Sequence, residues 1–238
     1  MDANVQQLVE REIKRWQSER AARVDSHQGE LPLYDVITLS NQFGSQGHAV
    51  CRRLGEVLGI PVYDREIVEH IATNKHVRVL TVETIDQRAY GGIDDHIAAL
   101  FRERNFDQSD YMQALVSTVL ALWHHGPCVL IGRGASHIVP RAHALSVRTV
   151  SNLDDRVRVV REREKLDDNA AALRKLHRTD AERNAFSHRY FGCDIDAPDT
   201  YDLVVNTSYL PAETAADVIV AAYRRKFRRD GAETSKAT

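Results

Sequence analysis

A glycine-containing loop between two patterned segments is the part of this chain best suited to bind an anion. Val36–Ser40 is a β-branched run, the loop carries Gly44 and Gly47, and residues 48–59 repeat with helical spacing. Free amides at a helix start and the positive end of its dipole both face such a loop. The pattern predicts a nucleotide-phosphate site, although an ordinary strand-to-helix turn with glycines for close packing has the same appearance.

This loop is not a Walker A sequence, which requires Gly-x4-Gly-Lys followed by Ser or Thr. Gln46 stands where the last glycine falls, Gly47 where the lysine falls and His48 where the hydroxyl residue falls. The backbone cradle could survive these changes, but the lysine charge and the magnesium-binding hydroxyl are absent. His48 could itself touch an anion, because imidazole protonates near neutral pH.

Two further segments carry polar side chains directly after predicted strands. Arg133 lies between two glycines, where its guanidinium could bind a phosphate or a base edge, or could lie in a surface turn. Asp64 and Arg65 follow another strand end. The carboxylate there could accept a hydrogen bond from a substrate hydroxyl, or could simply cap the next helix.

A charged helix and loop further along contains Arg178, Asp180 and Arg183. Phosphoryl transfer needs positive charge on the transferring oxygens while water is excluded, and arginines on a closing lid supply both. A solvated helix face with ion pairs one turn apart gives the same pattern. From the residues alone, the solvated face is the favoured interpretation.

Strands that alternate with helices must position these residues. Apolar runs at 36–40, 60–63, 128–131, 144–150 and 201–206 are separated by helical patterns, which predicts an α/β fold with a doubly wound parallel sheet. Ligands of such sheets bind beyond the carboxyl ends of the strands. We therefore expect the polar segments after these strands to converge on one cleft.

Composition limits the function classes. The chain has 238 residues and a formal charge of −2, which gives no global electrostatic reason to expect nucleic acid as a partner. Three scattered cysteines without a CxxC pair argue against a disulfide scaffold and suit a reducing compartment. No apolar run approaches the roughly 18 residues of a membrane span. We expect a cytoplasmic protein without a membrane partner.

The chain divides into a main domain and two appended pieces. Residues 1–33 form a helical extension, residues 34–228 the main domain, and residues 229–238 a flexible tail. Within the domain we predict a mobile insertion over the binding cleft at 73–110 and a helical lid at 167–195. The apolar stripe of the extension would dock on the domain, or on a partner in a homo-oligomer.

Four segments in order resemble the cytidylate-kinase-like proteins, a bacterial branch of the P-loop nucleoside monophosphate kinases. Ile37-Thr-Leu-Ser-Asn-Gln-Phe-Gly-Ser-Gln-Gly-His48 is similar to the branch's loop, and Leu58-Gly-Ile-Pro-Val-Tyr-Asp-Arg-Glu-Ile67 to its Leu-Gly-x-Pro-x-Tyr-Asp-Lys-Glu-Ile. Cys128-Val-Leu-Ile-Gly-Arg-Gly-Ala135 resembles its Val-Gly-Arg element. The lid stretch around residues 178–192 and the strand at 201–208 complete the resemblance.

This resemblance implies a P-loop kinase fold with a helical lid, and ATP-dependent phosphoryl transfer to a nucleoside monophosphate or a related small acceptor, with Mg²⁺. It assigns three groups of residues by position. The donor phosphates would be held by Gly44, Ser45, Gln46, Gly47, His48 and Ala49. The acceptor pocket would contain Asp64, Arg65 and Arg133. The catalytic residues would be Arg133 and the lid residues Arg178, Asp180 and Arg183.

The loop departs from the family pattern at positions that carry charge. Asn41 and His48 stand where the branch has arginines, Gln42 replaces a glutamate and Gln46 replaces a glycine. Two charge-assisted contacts are thereby lost from an anion site. A catalytically inactive nucleotide-binding or partner-binding protein is therefore the alternative function.

Overall fold

A computed structural model describes residues 3–23, 34–85, 100, 102 and 109–227. Its strands are β1 (Val36–Asn41), β2 (Val62–Tyr63), β3 (Val129–Ile131), β4 (Ala144–Val150) and β5 (Leu203–Asn206). Its helices are α1 (Ala3–Arg23), α2 (Gly47–Leu58), α3 (Arg65–Thr73), α4 (Lys75–Glu83), α5 (Asp110–His125), α6 (Ala135–Ile138), α7 (Leu153–Glu164), α8 (Asn169–Phe191) and α9 (Ala212–Lys226). Most of the predicted insertion at 73–110, and the tail at 229–238, lie outside the described residues.

The strands of the described chain form one parallel sheet in the order β2-β3-β1-β4-β5. In the register of the central pairs, Thr38 lies opposite Leu130 of β3 and Ser146 of β4. Strand β1 lies between β3 and β4. Because the three strands are parallel, their carboxyl ends lie together at one edge of the sheet. The predicted α/β fold with a doubly wound parallel sheet is confirmed.

Apolar residues cover both faces of this sheet, as the unbroken runs of its strands require. On one face, Ile37 and Leu39 of β1 pack with Leu54 of α2 and Ile219 of α9. On the other face, Leu130 of β3 belongs to a cluster contributed mainly by α1, α3 and α5. The two layers hold α2 rigidly behind the loop that precedes it.

The N-terminal helix α1 is part of the core of the domain. Its residues Val9, Ile13 and Trp16 are buried in the same cluster as α3 and α5. The Trp16 indole stacks on His125 with 4.0 Å between ring centroids, and the Tyr63 hydroxyl donates a 3.0 Å hydrogen bond to Glu12. Docking of this stripe on the domain is confirmed, while a homo-oligomer through α1 stays a prediction.

The helix boundaries follow their capping residues. Gly59 ends α2 in the left-handed conformation, as the sequence predicts. The charged helical region at 153–190 is divided into α7 and α8 at Lys165, whose φ of 52° ends the first helix. In the described part of the chain no helix is long and apolar enough to cross a membrane.

Replacing Trp16 by alanine tests whether α1 belongs to the core. We expect Trp16→Ala to lower the free energy of unfolding by about 3–5 kcal/mol, because it removes a large buried side chain and leaves a cavity. Lys14→Ala, at an exposed position of the same helix, is the control and should change it by less than about 0.5 kcal/mol. Denaturant unfolding would measure both, and equal small effects would contradict this packing.

Candidate functional site

The loop between β1 and α2 is fixed by a buried hydroxyl network. The Ser45 hydroxyl donates a 2.9 Å hydrogen bond to the backbone carbonyl of Gln42 and lies 2.9 Å from the Thr149 hydroxyl. The Thr207 hydroxyl donates a 3.0 Å hydrogen bond to the Ser45 carbonyl from the end of β5. Because these anchors come from β4 and β5, the sheet itself sets the shape of the loop.

This shape directs free amides toward the carboxyl edge of the sheet. Gly44 and Gln46 have φ angles of 88° and 55°, so the chain turns sharply into α2. Within the described residues, the amides of Gly47, His48 and Ala49 make no hydrogen bond, as expected for the first turn of a helix. These donors and the helix dipole have the arrangement that an anion site requires, and anion binding here stays a prediction.

Helix α8 closes on this loop through Asp180. One oxygen of that carboxylate accepts a 3.0 Å hydrogen bond from the Phe43 amide, and the other pairs with Arg156 of α7. The Nε of Arg156 in turn donates a 2.9 Å hydrogen bond to the Phe43 carbonyl. A single loop residue is thus held at both of its backbone groups by the two lid-side helices.

Arg183 lies one helical turn beyond Asp180 and also contacts the loop. Its guanidinium donates a 2.5 Å hydrogen bond to the Asn41 carbonyl and lies 5.5 Å from the centre of the Phe43 ring. Arg163 lies over the same ring at 4.7 Å. Helices α7 and α8 therefore bring positive charge directly to the loop.

Arg178 does not share this position. Its side chain is 82% exposed and pairs at 2.9 Å with Glu182, one turn along the same helix. Of the three lid residues that the resemblance assigns, the structure brings Asp180 and Arg183 to the loop and leaves Arg178 on the outer surface of α8.

Burial is the main cause that lowers the pKa values of two basic side chains near the loop, and nearby arginines add to it. Burial, together with the charges of Arg65, Arg148 and Arg163, lowers the pKa of Arg183 from 12.5 to about 10, against the opposing effect of Asp180. Loss of hydration is the main cause that lowers the pKa of His48 below its ordinary 6.5; Asp64 opposes this shift and nearby arginines add to it. His48 is therefore neutral at pH 7.

In the region that the resemblance assigns to the acceptor, Asp64 caps α3. Its Oδ1 accepts 3.0 Å hydrogen bonds from the amides of Glu66 and Ile67. In the chain as described, Oδ2 makes no hydrogen bond, so one oxygen of this carboxylate stays available to a ligand. Arg65 is exposed at the start of α3, and its Cβ lies 4.0 Å from where a Cβ on Gly132 would be.

Arg133 adopts a left-handed conformation, with φ of 50°, in the turn after β3. Its Nε lies 2.6 Å from a carboxylate oxygen of Glu69, and its guanidinium lies 5.1 Å from the centre of the Phe186 ring. The Tyr111 hydroxyl donates a 3.0 Å hydrogen bond to the same Glu69 oxygen. Burial is the main cause that raises the pKa of Tyr111 to about 12, so this hydroxyl keeps its proton.

The end of α8 packs on this turn. A Cβ added to Gly134 would lie 2.0 Å from the Phe191 ring, so only glycine fits there. One helix, α8, thus covers both sites: its middle contacts the loop after β1, and its C-terminal end packs on the turn after β3.

Several residues of this site are not found by sequence reasoning. Arg156 and Arg163 lie in a charged helix whose local pattern resembles any solvated face. Glu69 and Tyr111 carry no motif. Arg148 lies inside a strand, where a charged residue among apolar ones is the signal that could have identified it.

The described residues contain no cluster of three or more His, Cys, Asp or Glu that could hold a metal ion. The one hydroxyl within the loop, that of Ser45, is already engaged with Gln42 and Thr149. The described residues therefore identify no side chain as a ligand for a magnesium ion.

Comparisons with known proteins agree with this geometry. A cytidylate kinase of Sulfolobus acidocaldarius is 35% identical over 82 residues, which is 34% of this chain and 44% of that relative. The chain thus matches less than half the length of this curated relative. An uncharacterized protein of Eubacterium ventriosum has a similar structure, with a TM-score of 0.64 and 22% identity over 80% of this chain and 98% of that one.

The family comparison covers the site and most of the domain. The model of the cytidylate kinase-like family matches residues 36–209, which include the loop after β1, the turn after β3 and helix α8. We conclude that the chain belongs to the cytidylate kinase-like family.

Proposed function

We propose that this protein transfers a phosphoryl group from ATP to a nucleoside monophosphate or a related small acceptor. The observation that carries the proposal is the loop with free amides at the start of α2, closed by Asp180 and Arg183 of a lid helix. Membership of the cytidylate kinase-like family supports the same reaction class. Phosphoryl transfer needs these elements because catalysis rests on alignment and on neutralisation of charge.

The donor phosphates would bind at the free amides of residues 47–49, with Arg163 and Arg183 beside them. Mg²⁺ would arrive with the nucleotide, since it usually keeps several waters and binds largely through substrate phosphates. When bound, it would neutralise negative charge on the transferring phosphoryl group. Arg183 would move from the Asn41 carbonyl to a phosphate oxygen.

The acceptor would lie between α3 and the turn after β3. Arg133 would exchange Glu69 for the acceptor's anionic group, and the free Oδ2 of Asp64 would accept a hydrogen bond from a hydroxyl. Arg65 is exposed at the start of α3 and would help to attract the anionic acceptor. Arg178 acts on the phosphates only if α8 rotates, because its side chain now faces outward.

A catalytically inactive nucleotide-binding protein is the alternative function. The observation that favours it is the charge of the loop: Asn41 is uncharged and His48 is neutral at pH 7, because its pKa is lowered. Binding by amides alone would survive these changes, whereas stabilisation of the transferring group needs positive charge.

A transfer assay separates the two functions. The protein is incubated with radiolabelled ATP and Mg²⁺ against nucleoside monophosphates, their deoxy forms and a small-metabolite mixture. Labelled product from one acceptor, lost in Arg133→Ala, would establish the kinase and name its substrate. ATP binding without transfer, under conditions where a control kinase works, would establish the alternative.

Two arginines of the lid helix form a matched pair for a second test. We expect Arg183→Ala to lower kcat/KM about 100-fold or more, because it removes a cation at the loop. Arg178→Ala should lower it less than about threefold, because an exposed i,i+4 pair contributes little. Steady-state kinetics would measure both, and an equal loss in the two variants would show that the contacts of α8 do not select the functional arginine.

His48 predicts a pH dependence of nucleotide affinity. Because its pKa lies below 6.5, the imidazole is neutral at pH 8 and gains positive charge as the pH falls through that pKa. The affinity of wild type relative to His48→Gln for a non-hydrolysable ATP analogue should be near one at pH 8 and should rise as the pH falls below 6.5, by roughly two- to fivefold once the imidazole is charged. Taking this ratio cancels the titration of the nucleotide. A ratio that is largest at pH 8 would contradict the assignment.

A further inference from the structure

A buried polar strip crosses the sheet beside the phosphate loop. It consists of two cross-strand pairs, Thr38 opposite Ser146 and Ser40 opposite Arg148, on neighbouring strands β1 and β4. Thr38, Ser146 and Arg148 are buried. The Thr38 and Ser146 hydroxyls and the Nε of Arg148 are buried without a hydrogen-bond partner in the described part of the chain. Burying a polar group without a hydrogen-bond partner destabilises the fold, unless a bound water or ligand supplies the partner.

Arg148 is the charged member of this strip and its side chain is only 4% exposed. It donates hydrogen bonds of 2.7 Å to the Ser40 hydroxyl and 2.5 Å to Asp196, and its guanidinium lies 5.7 Å from the centre of the Tyr201 ring. A guanidinium has five donors in a planar fork. The two hydrogen bonds seen here, with Nε unpaired, leave this buried cation incompletely satisfied.

The position of Arg148 places its charge at the phosphate loop. Its partner Ser40 directly precedes Asn41, whose carbonyl accepts from Arg183. Arg148 is also one of the three arginines whose charge lowers the pKa of Arg183, so the two guanidinium groups lie close together. A buried cation therefore stands beside a loop in which two positions lack the positive charge of the family pattern.

The ion pair of Arg148 is asymmetric. The Asp196 side chain is 58% exposed, whereas its arginine is almost fully enclosed. An exposed carboxylate regains hydration when it leaves, so a ligand oxyanion can replace it at modest cost. A buried guanidinium has no such alternative and must keep an anionic partner.

We propose that Arg148 binds an oxyanion of the acceptor, displacing Asp196, and replaces part of the positive charge that the loop lacks. This inference rests on the proposed function for the identity of the acceptor, and it specifies its class: a small molecule that carries a phosphate group close to the transfer site. No bond is made or broken by Arg148, which acts as a binding residue.

The test uses two substitutions with opposite expected effects. Inorganic phosphate is the probe, and its affinity is obtained from the rise in melting temperature with phosphate concentration, at constant ionic strength set by chloride. A saturating non-hydrolysable ATP analogue with Mg²⁺ fills the donor loop. We expect Arg148→Gln to weaken phosphate binding about tenfold or more, the size of one charge-assisted contact, and Arg148→Lys to weaken it less.

Asp196→Asn removes the competing carboxylate and leaves Arg148 in place, so it should strengthen phosphate binding roughly two- to tenfold. Arg141→Gln, which alters another arginine paired with an aspartate, is the control and should leave it unchanged. If the ion pair between Arg148 and Asp196 is only structural, substituting either residue should change the phosphate affinity in the same direction. Weakening of equal size in Arg148→Gln and Asp196→Asn, or no change in either, would overturn the proposal.

Two failures, a variant that does not fold and an ATP analogue that does not bind, can be told apart from a failure of the proposed oxyanion site. If Arg148→Gln does not fold, Arg148→Lys and Asp196→Asn still decide, because a folded Asp196→Asn protein with unchanged phosphate affinity contradicts the proposal. If the ATP analogue does not bind, the proposed kinase activity fails, and the same variants are compared without it. Opposite effects there would retain the oxyanion site without the kinase.

Discussion

Positive charge concentrated at the carboxyl end of β1 is the constraint on which this site depends. Arg65, Arg148 and Arg163 all lower the pKa of Arg183, which means that four guanidinium groups lie near one another and near the start of α2. Neighbouring guanidinium groups repel one another and destabilise the fold unless anions balance their charge. The protein supplies carboxylates from separate elements for this purpose, and a phosphate-bearing ligand would balance the charge more completely.

The loop and the lid are mechanically coupled by the same electrostatics. Asp180 holds the Phe43 amide and Arg156, while a Cβ on Gly44 would lie 2.9 Å from the Arg156 carbonyl. The loop cannot change shape without moving α7 or α8. A nucleotide can shift the lid only through contacts that differ between its two positions, and Arg183, which reaches the loop from α8, is a side chain that can make such a contact.

Sequence patterns predict the scaffold better than the site. The alternation of apolar runs and helices, the glycine at the end of α2 and the cap at Asp64 are local signals, and the structure follows them. Contacts such as that between Phe43 and Arg156 join residues 113 positions apart, so no local pattern encodes them. The family resemblance names Asp180 and Arg183, but only packing separates them from Arg178. Arg148 carries a local signal, a charge inside a buried strand, but its partners Ser40 and Asp196 lie 108 and 48 positions away and only the fold brings them together.

The arginines around the loop differ in how freely they can change partner. Arg183 now donates to a neutral carbonyl, and a phosphate oxygen would be the stronger acceptor, since charge-assisted hydrogen bonds are roughly twice as strong. Arg156 is buried and pairs with the partly exposed Asp180, and both side chains also hold backbone groups of Phe43, so freeing Arg156 would break several contacts at once. Arg156 therefore holds the loop in shape, whereas Arg183 can exchange the Asn41 carbonyl for a ligand oxygen at lower cost. A loop that lacks the Walker lysine can thus regain mobile positive charge only from residues outside itself.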